Sequence, residues 1–162
     1  MNFYSLNSGN ITIDQKDVTD HNFSNLIYYQ DQTIPVFHND FENNISIFNT
    51  YQLTDFDFKV MPDIFSKIAN NNSKDMTMLS GGEKQCLAFF RLWSKNADIL
   101  LLDEPFSALN IDIRNQLTKQ LCQNPKFKDK TILLVTHDLN NLNLFDRILK
   151  VNSNQIIEIF PE

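Results

Sequence analysis

Ile99-Leu100-Leu101-Leu102 is an unbroken apolar run that stops at Asp103-Glu104-Pro105. A short run without polar alternation, closed by charges and a proline, describes a strand covered on both faces, as in a parallel sheet packed between helices. Residues 131–136, Thr-Ile-Leu-Leu-Val-Thr, repeat the pattern and predict a second buried strand. Between the two, Ile113, Leu117 and Leu121 recur at i, i+4 and i+8, which predicts an amphipathic helix over residues 112–121. Strands alternating with helices define an α/β domain.

The rest of the chain fits that class. Ser8-Gly9 turns into a short strand at Asn10-Ile11-Thr12-Ile13-Asp14, and Leu26-Ile27-Tyr28-Tyr29 is rich in strand formers. From residue 33 to residue 73 aromatic residues fall at helical spacings among many asparagines, which predicts a mostly helical subdomain, with Asn70-Asn71-Asn72-Ser73 as a loop. Residues 80–95 predict a helix entered through Ser80-Gly81-Gly82 and stopped near Asn96. A short helix is expected over residues 138–145, begun by Asp138. A terminal hairpin is expected from residues 147–151 and 155–160 around Asn152-Ser153-Asn154.

The chain has 162 residues, 42% of them hydrophobic and 21% charged, enough for one domain with a core. Its net charge of −6 argues against a nucleic-acid partner, which would need clustered Lys and Arg. The two cysteines, Cys86 and Cys122, lack metal-ligand spacing and read as idle thiols in a reducing compartment. Met1-Asn2-Phe3-Tyr4-Ser5 has no feature of a signal peptide, and no apolar run approaches the length of a membrane span. The expectation is a soluble chain that reaches a membrane only through a partner.

Chemistry is visible in three places. Asp103 and Glu104 stand at the C-terminal end of a buried strand, where open α/β sheets place ligands. Neighbours on a strand point to opposite faces, so Asp103 can hold Mg²⁺ while Glu104 orients and deprotonates a water. Two solvated acids at a strand end are the plain alternative. Ser80, Gly81, Gly82 and Glu83 open a helix whose free N–H groups and dipole attract phosphate. The same residues also spell a capping box, and both readings can hold together. His137 closes a strand and can contact a γ-phosphate, although a lone histidine is more often structural.

Taken together, these residues resemble the ATP-binding-cassette (ABC) ATPase family. Leu79-Ser80-Gly81-Gly82-Glu83-Lys84-Gln85 resembles its signature motif, and residues 99–105 resemble its Walker B strand with the catalytic glutamate. Ser107-Ala108-Leu109-Asn110 resembles the D-loop, and Thr136-His137-Asp138 the switch histidine. Order and spacing agree across all four. Upstream, residues 8–14 are similar to the strand and turn after the Walker A helix, and Ile27-Tyr28-Tyr29-Gln30-Asp31-Gln32 to the Q-loop region of exporter-type domains. An ungapped match puts the Q-loop glutamine at Gln32, with Gln30 as the alternative.

The resemblance implies an α/β P-loop NTPase core, residues 1–32 and 98–162, with a helical subdomain at residues 33–97 that carries the signature helix. It implies ATP and Mg²⁺ as ligands. Glu104 and His137 would be catalytic, Asp103 and Gln32 would serve the metal, and Ser80, Gly81, Gly82, Glu83 and Gln32 would contact nucleotide. It implies a second nucleotide-binding domain arranged head to tail, a transmembrane partner, and residence on the cytoplasmic face of the membrane.

The departures are specific. No Gly-x-x-x-x-Gly-Lys-Ser/Thr occurs in the chain, so the Walker A strand and helix are expected to be missing, and with them the adenine-stacking aromatic residue. Such a chain is expected to be an incomplete ATPase domain of a transporter, inactive alone, or else a subunit that donates only its signature to another chain's ATP. Asn110 stands for the usual D-loop Asp, and Cys86 for a common Arg. A chromosome-maintenance ATPase shares the signature but would carry long heptads between its halves. Residues 32–79 have none.

Overall fold

In the computed structural model of the chain, residues 8–47, 58–70, 75–153 and 155–160 are described. Met1 to Ser5, Asn71 to Ser73 of the expected loop, and Asn154 of the expected hairpin turn lie outside them. The elements run β1 (Thr12–Ile13), β2 (Lys16–Asp17), β3 (Ile27–Gln30), α1 (Phe41–Ser46), α2 (Asp63–Ala69), α3 (Gly81–Ser94), β4 (Ile99–Asp103), α4 (Ile111–Gln123), β5 (Thr131–Val135), β6 (Ile148–Asn152) and β7 (Gln155–Ile159).

The centre is a parallel sheet in the order β3-β4-β5. Its register pairs Tyr28 with Leu100 and Leu100 with Ile132, and one step on Tyr29 with Leu101 and Leu101 with Leu133. Because side chains alternate along a strand, the two sets face opposite ways. Tyr28, Gln30, Leu100 and Leu102 form the covered face and are buried. The Tyr28 hydroxyl donates to the Ala88 carbonyl of α3 at 3.2 Å, which ties that face to the helix.

Helix α3 is the hub. Residues 85–94 are all buried, because α1 and α2 pack on it from one side while its other side meets the sheet and the 105–109 turn. Phe89, 1% exposed, is ringed by Phe65, Trp93, Phe106 and Phe127 with ring centroids 5.7 to 6.4 Å apart. Such offset and edge-on contacts add to burial. Arg91, buried inside this helix, donates from Nε to the Asn44 carbonyl and from Nη1 to the Pro35 carbonyl, both at 2.7 Å. It thereby fixes the segment that leaves β3.

Two expectations need correction here. The sheet is covered on one face only among the described residues. The other face presents Tyr29, Leu133 and Val135 at 53%, 57% and 60% exposure, so β5 is not a buried strand and β4 is fully covered on one side alone. An apolar run reports a strand's chemistry but not whether a neighbour is there to cover it. The second correction concerns residues 138–145. Only a single 3-10 turn forms, at Leu142–Leu144, after Asn141 in a left-handed conformation. Asp138 does not cap a helix. Its carboxylate accepts from the Asn140 N–H at 2.9 Å and from Arg114 at 2.9 Å.

The terminal hairpin forms as expected, with Asn152 opposite Gln155 and Arg147 bound to Glu158 through Nε at 2.9 Å and Nη2 at 3.0 Å. Helices α3 and α4 begin one residue either side of the predicted starts, and α4 runs two residues further. Cys86 is buried and its thiol is pushed up to about 12 by that burial, while Cys122 is raised to about 11 for the same reason.

The open side of the sheet has a consequence in solution. Strand β4 is paired on both sides, whereas β5 pairs only with β4 among the described residues. Exposed apolar edges recruit other chains. The 162-residue chain is therefore expected to self-associate, and Leu133→Lys, which puts a charge on the open face, is expected to raise the monomer fraction in size-exclusion chromatography. A wild-type chain eluting as a single monomer would contradict this.

Candidate functional site

Parallel pairing fixes the site. Asp103, the last residue of β4, lies opposite Val135, the last of β5, so both strands release their chains at the same edge of the sheet. The Glu104 N–H carries the ladder one step further, donating to the Val135 carbonyl at 3.0 Å. Two residues past Val135, His137 Nδ1 meets Glu104 Oε1 at 2.8 Å. The glutamate is largely covered, its side chain 17% exposed, and the histidine is open to solvent at 71%.

Asp103 and Glu104 do part company, though not by strand alternation. The strand ends at Asp103, and Glu104 takes a left-handed backbone with φ of 47°. A non-glycine residue there costs about 1–3 kcal/mol and persists only where its surroundings impose it. The turn sends the Glu104 carboxylate to His137, while Asp103 stays half-buried on the open face. The Tyr29 phenol on that face is held above its ordinary value, by desolvation first and then by the Asp31 and Asp103 carboxylates.

Gln30 and Gln32 are separated sharply. Gln30 ends β3 on the covered face and is buried, whereas Gln32 lies two residues beyond the strand and is exposed. Among the described residues no three of His, Cys, Asp and Glu are grouped to hold a metal ion. The Asp103 carboxylate at the end of β4 is an oxygen donor of the type Mg²⁺ takes, one or two carboxylates with water and phosphate oxygens completing the shell.

Ser80 caps α3 as the sequence indicated. The Glu83 N–H donates to Ser80 Oγ at 3.4 Å, and Glu83 Oε2 accepts from the Ser80 N–H at 2.8 Å and from its hydroxyl at 2.7 Å. The Ser80 hydroxyl and then its amide hold the Glu83 carboxyl below the usual carboxylate range. Gly82 has a reason beyond ligand approach. A Cβ on Gly82 would stand 3.1 Å from the Ala108 carbonyl and 3.2 Å from Leu109, so the helix start packs directly on the 107–109 loop. Asn110 accepts from the Ile113 N–H at 3.0 Å and so caps α4, a task Asn and Asp perform equally well.

The chain keeps two depressions apart. Ser80, Gly81, Gly82 and Glu83 line an open one of about 430 Å³ with Ala108, Leu109 and Asn110. Glu104 lines another, with Ser107, Arg114, Thr136 and Asp138, and no residue lines both. The structure thus brings Glu104 to His137, while Ser80, Gly81, Gly82 and Glu83 line a different depression.

Two residues have roles that the sequence reading did not assign, although Gln85 closes the signature-like stretch. Gln85 and Arg114 hold the loop between β4 and α4, Arg114 by donating from Nη2 to the Leu109 carbonyl at 3.0 Å and from Nη1 to Asp138 at 2.9 Å. A glutamine in an otherwise apolar stretch of α3 is a weak signal for such a role, and Arg114 on a polar helix face gives none.

Residues 1–107 match the family described as ABC transporter. An ATP-dependent lipid A-core flippase of Vibrio parahaemolyticus is 30% identical over 169 residues, covering 96% of this chain and 29% of its own length. The protein of the same description from Photobacterium profundum is 30% identical over 172 residues, at 96% and 28% coverage. A glutathione/L-cysteine transport system ATP-binding/permease protein, CydC, of Haemophilus influenzae is 26% identical over 168 residues, at 96% and 29%. The chain spans less than a third of the length of these relatives.

Proposed function

Because this chain belongs to the ABC transporter family, we propose that it is the nucleotide-binding part of an ATP-driven transporter, and that it contributes Glu104 and His137 to ATP hydrolysis. Family membership implies ATP as the nucleotide. The observation that carries the reading is the 2.8 Å pair of Glu104 and His137 at the shared edge of β4 and β5. A chain that lent only its signature to a partner would have no use for that pair.

In this reading Glu104 Oε accepts the proton of the attacking water, and His137, fixed by the same carboxylate, donates toward the γ-phosphate as charge builds there. Asp103 and Gln32 would hold Mg²⁺, which when bound neutralises phosphate charge. Ser80, Gly81, Gly82 and Glu83 would serve a different nucleotide from the one Glu104 acts on. That assignment requires a second nucleotide-binding domain placed head to tail. Residues 33–97 would form the helical subdomain, and residues 1–32 and 98–162 the core.

No described helix is long and apolar enough to cross a membrane. The link to the membrane would be a transmembrane domain or subunit, with this part on its cytoplasmic face. Likeness to the lipid A-core flippases supports an exporter.

The test is turnover by the chain joined to a segment bearing Gly-x-x-x-x-Gly-Lys-Ser/Thr. Phosphate release that requires Mg²⁺ and ATP is expected, and His137→Ala should lower it about 10-fold to 100-fold, the value of one charge-assisted hydrogen bond. An unchanged rate in His137→Ala would remove the histidine from the mechanism.

A further inference from the structure

Gln85 lies five residues past Ser80 on α3, and it is 4% exposed. Both ends of its amide are engaged outside the helix. Nε2 donates to the Glu104 carbonyl at 3.3 Å and to Ser107 Oγ at 3.1 Å, while Oε1 accepts from the Ala108 N–H at 2.8 Å. Ser107 Oγ in turn donates to the same Glu104 carbonyl at 3.2 Å. One buried side chain therefore binds the turn that carries Glu104 at three points, on residues 104, 107 and 108.

That turn is the strained one. Glu104 has φ of 47°, and its amide is held by Val135 while its carbonyl is held by Gln85 and Ser107. If φ relaxed to the right-handed or extended region, Cβ would swing to a new direction and the carboxylate would leave His137. Nothing in the local sequence Asp103-Glu104-Pro105 favours a left-handed backbone. The contacts that hold it are the Val135 carbonyl at the Glu104 amide and, at the Glu104 carbonyl, the Ser107 N–H at 3.4 Å, the Ser107 hydroxyl and Gln85, of which Gln85 is the one side chain from α3.

We propose that Gln85 is a positioning residue for Glu104: it anchors the 104–108 turn to the first turns of α3 and so maintains the backbone conformation that directs the Glu104 carboxylate at His137. The functional weight of this rests on the catalytic reading of Glu104, but the geometry can be tested without it. The tight seat of Gly82 on Ala108 and Leu109 belongs to the same interface, so the start of α3 and the turn meet along a continuous contact.

Amide hydrogen exchange on the full chain, resolved to single residues and without nucleotide, is the test. Gln85→Met keeps the volume and removes all three hydrogen bonds. It is expected to speed exchange at Glu104 and Ala108 about threefold to tenfold relative to Leu117 and Leu121 of α4, the effect of one net hydrogen bond. If Gln85 only fills space, Gln85→Met leaves the Glu104 amide at the wild-type rate, and the proposal is overturned. Should that variant also speed the α4 amides, Ser107→Ala decides, since it removes one hydroxyl at a half-buried site. Faster exchange at Glu104 that Ser107→Thr restores supports the clasp, and an unchanged rate in Ser107→Ala overturns it. In the chain joined to a phosphate loop, Gln85→Met is expected to lower kcat and leave KM in place. Failure of Glu104→Gln to change turnover would instead remove the catalytic reading and leave the amide rates as they are.

Discussion

Mixed with Mg²⁺ and ATP, the 162-residue chain on its own is expected to release phosphate no faster than buffer. Phosphoryl transfer leaves little covalent chemistry for a protein to do, so catalysis is positioning plus charge stabilisation around the β- and γ-phosphates. Those tasks fall to the backbone amides and lysine of a phosphate loop, and no Gly-x-x-x-x-Gly-Lys-Ser/Thr occurs in this sequence. Glu104 and His137 are paired, but the sequence supplies no phosphate loop to hold a γ-phosphate against them. Joining a phosphate-loop segment is expected to raise turnover by orders of magnitude, into the enzyme range of about 1 s⁻¹ or more. Steady release by the unjoined chain that disappears in Glu104→Gln would show that the missing loop is not needed.

Phe89→Ala is expected to cost about 3–5 kcal/mol, the usual range for removing a buried phenylalanine. The side chain is 1% exposed and touches four other rings, drawn from α2, α3, the Phe106 turn and the Phe127 turn. Apart from Trp93 on the same helix, these partners come from separate elements, so filling the void would require several of them to shift at once. Whole domains hold only about 5–15 kcal/mol, and this sheet already leaves Tyr29, Leu133 and Val135 uncovered. The substitution should therefore leave little or no cooperative unfolding transition in urea. A midpoint shifted by the equivalent of less than about 1 kcal/mol would mean that the aromatic cluster is not the centre of the core.

Much of this was legible in the sequence because it is local. Ser80 three residues before Glu83 gives a capping box, Asn110 before Ile113 gives a helix start, and the apolar run ending at Asp103 gives β4. The hairpin of β6 and β7 could be read because its two short runs flank a polar turn. What failed was decided by partners far along the chain. Asp138 looks like a helix cap until Arg114 is placed beside it. Residues 131–135 look buried until the sheet proves to have one bare face. The pairing of Glu104 with His137 follows from the register of two strands that sequence alone does not align. The left-handed backbone at Glu104 and its support by Gln85 depend on contacts spanning 19 residues or more.

The most direct measurement of the central claim is phosphate release and ATP retention by the phosphate-loop-restored chain carrying Glu104→Gln. The substitution keeps the size of the side chain and its contact with His137 but removes the basic carboxylate. Turnover is expected to fall by about 10²–10⁴, the range for loss of a general base, while ATP remains bound in a filter assay. Turnover equal to that of the unsubstituted chain would contradict the assignment of Glu104 as the base.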